Sequence, residues 1–554
     1  MKPTAVCLCA FALSVAYLST SSAAEPIASD ASPGCAAIRA AVAEDLQHAI
    51  RPGGVAQPGF WTRNSVRFMY PPTLEFLSVT GAHHYAFTVT GAKRELTLRM
   101  KSEKPVLRFT SADWEKLPVG NVNIVCEPRT ASDRATGIVQ DRFFWKKQPF
   151  TGDCPPAATD YATAARRAYA YLIGTPCLRH FAEKGVPDPD YELNCYPSKM
   201  HPAVIGAMLH YAKLEPSRAD EAFALARKVA DYLLSLAEPE DAALPGFTPT
   251  YAGDKLAAKR NRGRTMNVYP AGAGDAFLSF YGETKERKYL EAAERIASTY
   301  LKGQGEDGTW PLVQELKTGK VLCPNRLFPM PVIGFLERLH EVTGREEYRV
   351  AADRAFAFID RGPLRDWNWE GQFEDVEPSG KYENLTKHPA CATAIYCLKR
   401  FPGDARRLEE ARDVIRFAED QFVEWTRPFD TPVGKRMVIW GPLSTGWWTN
   451  SAPGHRLYPA VEEQYRCYVP VDASAAKLIR TYLALYRAEG RPLDLAKARA
   501  LGDMMTRVQR ADGSIPTWWN PDGPRKDDWL NCMIASARAL EELLEFRSFP
   551  NEVR

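Results

Sequence analysis

Ala390-Cys391-Ala392-Thr393-Ala394-Ile395-Tyr396-Cys397-Leu398 is apolar on nearly every side, the composition of a helix surrounded by other helices. Arg287-Lys288-Tyr289-Leu290-Glu291-Ala292-Ala293-Glu294-Arg295-Ile296 differs, with one wet, charged face. The two types alternate from residue 158 to about 547. Apolar members fall at 201–212, 271–280, 331–342, 389–400, 473–486 and 530–546, and amphipathic ones at 219–236, 287–300, 346–359, 405–422 and 492–508. Short turns such as Tyr281-Gly282-Glu283-Thr284 and Glu489-Gly490-Arg491 join each apolar helix to the amphipathic one after it, with Gly suited to helix termination.

Six buried helices and five outer ones leave one outer place empty. A helix over 161–173 fills it, so the ring closes first to last. The reverse connections, at 183–200, 238–266, 303–327, 361–387, 425–470 and 511–528, are long. Because hairpins alternate direction, all six emerge on one rim. An open solenoid would have short connections on both sides, whereas long ones in compact domains are usually functional. The expected fold class is therefore mainly α, an (α/α)6 toroid over 158–547. Residues 55–145 alternate in short β-like runs between turns and predict a small Ig-like sandwich, with 146–157 as a linker.

Residues 1–24 read as a secretory signal: Lys2, an apolar run from Val6 to Leu18, then Ser22-Ala23-Ala24 before Glu25. The run is too short for a membrane span, which needs about 20 residues. A secreted or periplasmic enzyme is expected. Lys and Arg total 71 against 68 Asp and Glu, a net charge of +3, and no basic arm points to nucleic acid. No cysteine pair has C-x-x-C spacing, and no ligand cluster argues for a metal or other cofactor. Export makes disulfides possible, with Cys177 and Cys195 the expected local pair.

Chemistry should gather on the elaborated rim. Asp366-Trp367-Asn368-Trp369-Glu370-Gly371-Gln372-Phe373-Glu374-Asp375, followed by Asn384 and His388, mixes aromatic platforms with carboxylates and amides, the mixture that sugar binding needs. Glycoside hydrolysis generally uses two carboxyl groups; Glu370, Glu374 and Asp375 are candidates for one. A second cluster holds Trp440, Trp448, Glu462, Glu463, Tyr465 and Arg466, with Glu463 the preferred second acid and Arg466 suited to a uronate. Asp472 reads as a helix cap. Two related turns, Gln304-Gly305-Glu306-Asp307-Gly308-Thr309-Trp310-Pro311 and Gln509-Arg510-Ala511-Asp512-Gly513-Ser514, follow outer helices; Trp310 and Trp518 are stacking candidates, and Asp528 a polar contact. Asp275 is either a buried hydrogen-bond hub or a site carboxylate.

These hairpins, the repeated turns, Trp369–Asp375 and Glu463-Gln464-Tyr465 resemble the six-hairpin glycosidase superfamily over 158–547. The resemblance implies a carbohydrate-active enzyme, hydrolase or lyase, working at one end of the ring; no catalytic motif of a defined family matches, so no role is transferred. The repeated turns are also similar to those of triterpene cyclases, whose D-x-D-D motif is absent. The primary expectation is a glycoside hydrolase on an oligo- or polysaccharide, with uronate-containing glycans included. A lyase or uronate epimerase would instead use His388 or Tyr465 as base. A non-catalytic glycan-binding protein would keep the tryptophans without the paired acids.

Overall fold

Periodicity separates the two helix types in the computed structural model, which describes residues 33–47, 67–91, 96–369, 386–426, 457–464, 467–519 and 529–546. The outer helices are α1 Tyr161–Ile173, α3 Ala219–Ser235, α5 Arg287–Gly303, α7 Glu346–Arg361, α9 Ala405–Phe422 and α11 Pro492–Val508. The inner ones are α2 Pro197–Leu214, α4 Tyr269–Thr284, α6 Met330–Thr343, α8 Lys387–Arg400, α10 Asp472–Glu489 and α12 Leu530–Glu542. On α5, Tyr289, Ala292, Ala293, Ile296, Ala297 and Tyr300 form one buried stripe, the 3.6-residue spacing of a helix with one face on a core. On α4, Ala271, Ala273, Gly274, Ala276, Phe277, Leu278 and Phe280 are buried around most of the circumference. Pro197, Pro270 and Pro331 sit in the first turns of α2, α4 and α6, where the missing amide costs no helical bond.

Each inner helix packs on the next, α2 on α4, α4 on α6, α6 on α8, α8 on α10 and α10 on α12, and α12 returns to α2. The last hairpin is completed by α1, from the opposite end of the domain, packed on α12. Among the described residues this is the closed toroid that the alternating pattern predicts.

The repeated turn explains how neighbouring hairpins are fastened. Gln304 Nε2 donates to Gly308 O within its own turn and to Ala351 O of α7, both at 2.9 Å. Gln509 Nε2 does the same with Gly513 O and Ala164 O of α1, again at 2.9 Å. An arginine answers from each neighbouring helix, Arg354 to Gly305 O at 3.1 Å and Arg167 to Arg510 O at 2.8 Å. Gly308 and Gly513 have φ of +92° and +95° and press against the backbone at Arg354 and Arg167. A side chain fits neither place. The motif thus stitches one outer helix to the next, and its second copy closes the circle.

In the N-terminal part, strands β1 Arg67–Phe68, β2 Thr73–Glu75, β3 His84–Thr90, β4 Thr97–Ser102, β5 Val106–Arg108, β6 Gly120–Arg129 and β7 Gln140–Lys146 form a sheet in the order β1-β7-β6-β3-β4 and a separate β2-β5 pair. The β-like runs read from the sequence at Leu74–Val79, Tyr85–Thr90, Leu96–Met100, Val106–Thr110 and Val122–Glu127 fall near β2 to β6. β7 escaped because its last three residues, Phe144, Trp145 and Lys146, are all buried, so its pattern does not alternate at that end. Lys146 Nζ donates to Trp114 O and Leu117 O at 2.5 and 2.6 Å, closing the end of the short helix Ser111–Lys116.

A buried polar seam joins the two parts. Asp420 Oδ1 accepts Met69 N at 2.7 Å, and Gln421 Nε2 donates to Arg67 O at 2.9 Å. Glu419 accepts from Lys497 Nζ at 2.8 Å, Tyr70 OH at 3.1 Å and Trp425 Nε1 at 2.7 Å. Two residues of the segment read as a linker join this seam: Lys147 Nζ donates to Asp420 O at 2.9 Å, and Phe150 packs edge-on to Trp425. A helix at Pro33–Gln47, which the sequence reading did not identify, is held by Asp45, paired with Arg416 at 3.0 Å and Arg491 at 2.8 Å. No disulfide joins Cys177 to Cys195; both thiols are buried. No helix among the described residues is long and apolar enough to cross a membrane.

Candidate active site

The N-terminal ends of the six inner helices meet around a recess of about 400 Å³. Each contributes wall: Lys199 from α2, Tyr269 from α4, Pro331 from α6, His388 from α8, Lys477 from α10 and Asn531 from α12. Phe328 and Trp529 add aromatic surface, and Glu463 adds a carboxylate from the strand Ala460–Gln464. Six helix N-termini aimed at one space also give it a positive field from the peptide dipoles.

Glu463 is positioned by a neighbour on α8. Lys387, buried at the start of that helix, donates through Nζ to Glu462 O at 2.9 Å and also to Glu463 O. Burial pushes the Lys387 ammonium down to about 8, against the raising effect of Glu463. Thr386 caps α8, its hydroxyl accepting His388 N at 3.3 Å, which fixes the backbone next to the imidazole. Burial holds the His388 pKa well below its ordinary value, and Lys387, Lys477 and Lys199 lower it further. His388 is therefore a neutral imidazole near pH 7, able to accept or relay a proton.

Of the residues singled out in the sequence, Glu463 and His388 lie together on the recess wall. Trp310, Trp369 and Trp518 do not. Trp310 is 2% exposed, with its indole N–H on Tyr300 O at 2.8 Å; it fills the hairpin interior rather than offering a face to a ligand. Trp369 is fully buried behind Phe328, ring centroids 6.1 Å apart, and Trp518 is buried behind Trp529 at 5.6 Å. Both back a wall aromatic. Asp472 opens α10 rather than preceding it, and its carboxylate accepts Ala473 N at 2.7 Å and Ser536 Oγ at 3.0 Å. Asp275 is half-exposed, pairs with Arg338 at 2.6 Å and does not line the recess. Glu370, Glu374, Asp375, Asn384, Trp440, Trp448, Tyr465, Arg466 and Asp528 lie outside the described residues. Lys199 and Lys477, which also line the recess, were missed.

No protein-family model and no curated protein matches the sequence. Solved structures do match in fold. D-mannose isomerase superposes with a TM-score of 0.50 at 12% identity, covering 70% of this chain and 97% of that one. A family 76 glycoside hydrolase from a bovine Bacteroides thetaiotaomicron strain gives 0.47 at 10%, over 87% and 97% of the two chains. Cellobiose 2-epimerase from Spirochaeta thermophila gives 0.47 at 15%, over 69% and 98%. At such identities the likeness is one of fold alone, and the D-mannose isomerase superposition agrees with the ring traced above: the chain has an (α/α)6 toroid fold.

Proposed function

We propose that the chain is a carbohydrate-active enzyme, a glycoside hydrolase that takes its sugar into the recess and uses Glu463 as one of two carboxyl groups. The observation that carries this reading is the convergence of the Glu463 carboxylate with aromatic and hydrogen-bonding side chains at the mouth of the ring, the mixed lining that orients a sugar. Asp375 is the proposed second carboxyl group, with Glu374 and Glu370 behind it; these three enter from sequence alone. One carboxylic acid protonates the leaving oxygen, and the other activates water or attacks the sugar. Export to the periplasm or medium is part of the proposal and rests on residues 1–24.

The test is a panel of oligo- and polysaccharides assayed for new reducing ends. Glu463→Gln should lower kcat by about 10²–10⁴-fold, the usual worth of a positioned acid or base, with binding retained. A fully active variant refutes the role.

A second reading rests on His388. A neutral imidazole on the wall suits proton transfer at a sugar carbon, as an isomerase, epimerase or lyase requires. Under it, His388→Asn removes turnover, Glu463→Gln leaves much of it, and products carry an unsaturated band in the ultraviolet or an inverted or isomerised sugar.

A further inference from the structure

We propose that the recess takes a sugar bearing an anionic substituent, a carboxylate or a sulfate ester, bound by Lys477 with Lys199 beside it. The inference rests on the reading of the recess as a sugar site and specifies its substrate class. Lys477, half-buried on the recess wall, stands apart from the buried lysines. Lys146 donates to Trp114 O and Leu117 O, Lys147 to Glu419 O and Asp420 O, Lys387 to Glu462 O, and Lys497 to the Glu419 carboxylate. Lys477, on the recess wall, makes no side-chain hydrogen bond or ion pair with any described residue.

Its surroundings offer little compensation. Burial, together with Arg480 one turn along the helix, lowers its pKa to about 8, with Cys391 and Glu542 acting the other way. The wall carboxylate, Glu463, bears on Lys387 instead. Lys477 lines the recess and is half-buried there, so a ligand that fills the recess withdraws it further from water, and a cation withdrawn from water needs an opposite charge. Lys199 and the helix dipoles add to the same field, which the depressed His388 also registers. A neutral sugar would leave the Lys477 ammonium desolvated and unpaired. An anionic one would complete it with a charge-assisted hydrogen bond.

The experiment is calorimetric titration of the full chain with matched pairs, glucuronate against glucose, galacturonate against galactose and a sugar sulfate against its parent, plus inorganic sulfate alone. The expected result is that at least one anionic sugar binds about tenfold or more tighter than its neutral partner, the worth of one charged hydrogen bond. Lys477→Met, which keeps the aliphatic stem, should abolish that margin, Lys477→Arg should keep most of it, and Lys199→Met should reduce it, a second route if Lys477→Met is poorly folded. Equal binding of both partners, unchanged in Lys477→Met, overturns the anionic assignment and leaves the carbohydrate reading standing. Sulfate binding that depends on Lys477, with no sugar bound, retains the anion site and overturns the carbohydrate reading. No Lys477-dependent binding of any probe overturns the proposal.

Discussion

Replacing Gly513 with alanine tests the closure of the ring directly. The residue has φ +95°, and a Cβ built there lies 2.5 Å from the Arg167 carbonyl oxygen of α1, closer than carbon and oxygen can approach. Two costs combine. A left-handed backbone costs a non-glycine residue about 1–2 kcal/mol. The clash is with backbone, so it is relieved only by separating α1 from the turn, an overpacking cost of about 1–3 kcal/mol. The sum is about 2–5 kcal/mol. Gly490, at φ +70° after α10, is the control, because a Cβ there meets nothing within 4 Å and only the backbone cost of about 1–2 kcal/mol applies. Hydrogen exchange resolves the two locally and does not depend on all-or-none unfolding of so long a chain. Gly513→Ala should speed exchange in 161–173 and 509–514 together, and the urea midpoint should fall further than in Gly490→Ala. If the two variants are equally stable and α1 keeps its protection, α1 does not seat against that turn and the closed ring is wrong.

Three further outcomes follow from the buried charges. Lys497→Met strips Glu419 of its cation while leaving the carboxylate buried, a loss of about 3–5 kcal/mol; limited proteolysis should then cut between the N-terminal sheet and the toroid, where the wild type resists. Lys477 has a folded pKa of about 8 against an ordinary 10.5, with Arg480, Cys391, Lys387, His388, Lys199 and Glu542 as the charged or titratable groups around it. Below about 8 both folded and unfolded chains hold its proton, and the folded one carries the desolvation cost. As pH rises from about 8 towards 10.5 the unfolded chain binds more protons, so the Lys477 contribution to stability rises. Urea midpoints of wild type minus Lys477→Met should therefore increase across that window; a flat difference contradicts the lowered value. His388, by contrast, should add no inflection near pH 6.5 to the activity profile or to its NMR titration, because burial and three lysines keep it unprotonated there.

The helices were legible because their physics is local. Apolar residues all round α8 and a single stripe on α5 state which is inside, and the predicted span of α1 matches the observed Tyr161–Ile173. The recess was legible only by topology: long connections on one rim placed Glu463 and His388 together. Trp310, Trp369 and Trp518 turned out buried because an indole packs equally well on a sugar or on a neighbouring ring such as Tyr300, and sequence does not show which partner is nearer. Asp275 was read as buried from its small neighbours, yet Arg338, 63 residues later, draws it to the surface. The lysines of the recess were passed over since nothing local distinguishes a solvated lysine from Lys477, whose character comes from the recess that distant helices close around it. β7 was hidden for a similar reason, its end being covered on both faces.

The closing role of α1 has a consequence for synthesis. Tyr169 donates to Glu541 across 372 residues of chain, so the first toroid helix leaves the ribosome long before its partner exists. Throughout that interval α2 can cover part of the apolar face of Ala164, Ala165, Ala168, Tyr169 and Leu172, through Tyr211 stacked on Tyr169, but the surface that α12 covers in the finished ring stays open, a window in which nascent chains aggregate or recruit chaperones. A circular permutant that moves 158–174 behind residue 546 would place both members of the last hairpin side by side in the gene and should shorten that window while leaving the finished ring the same.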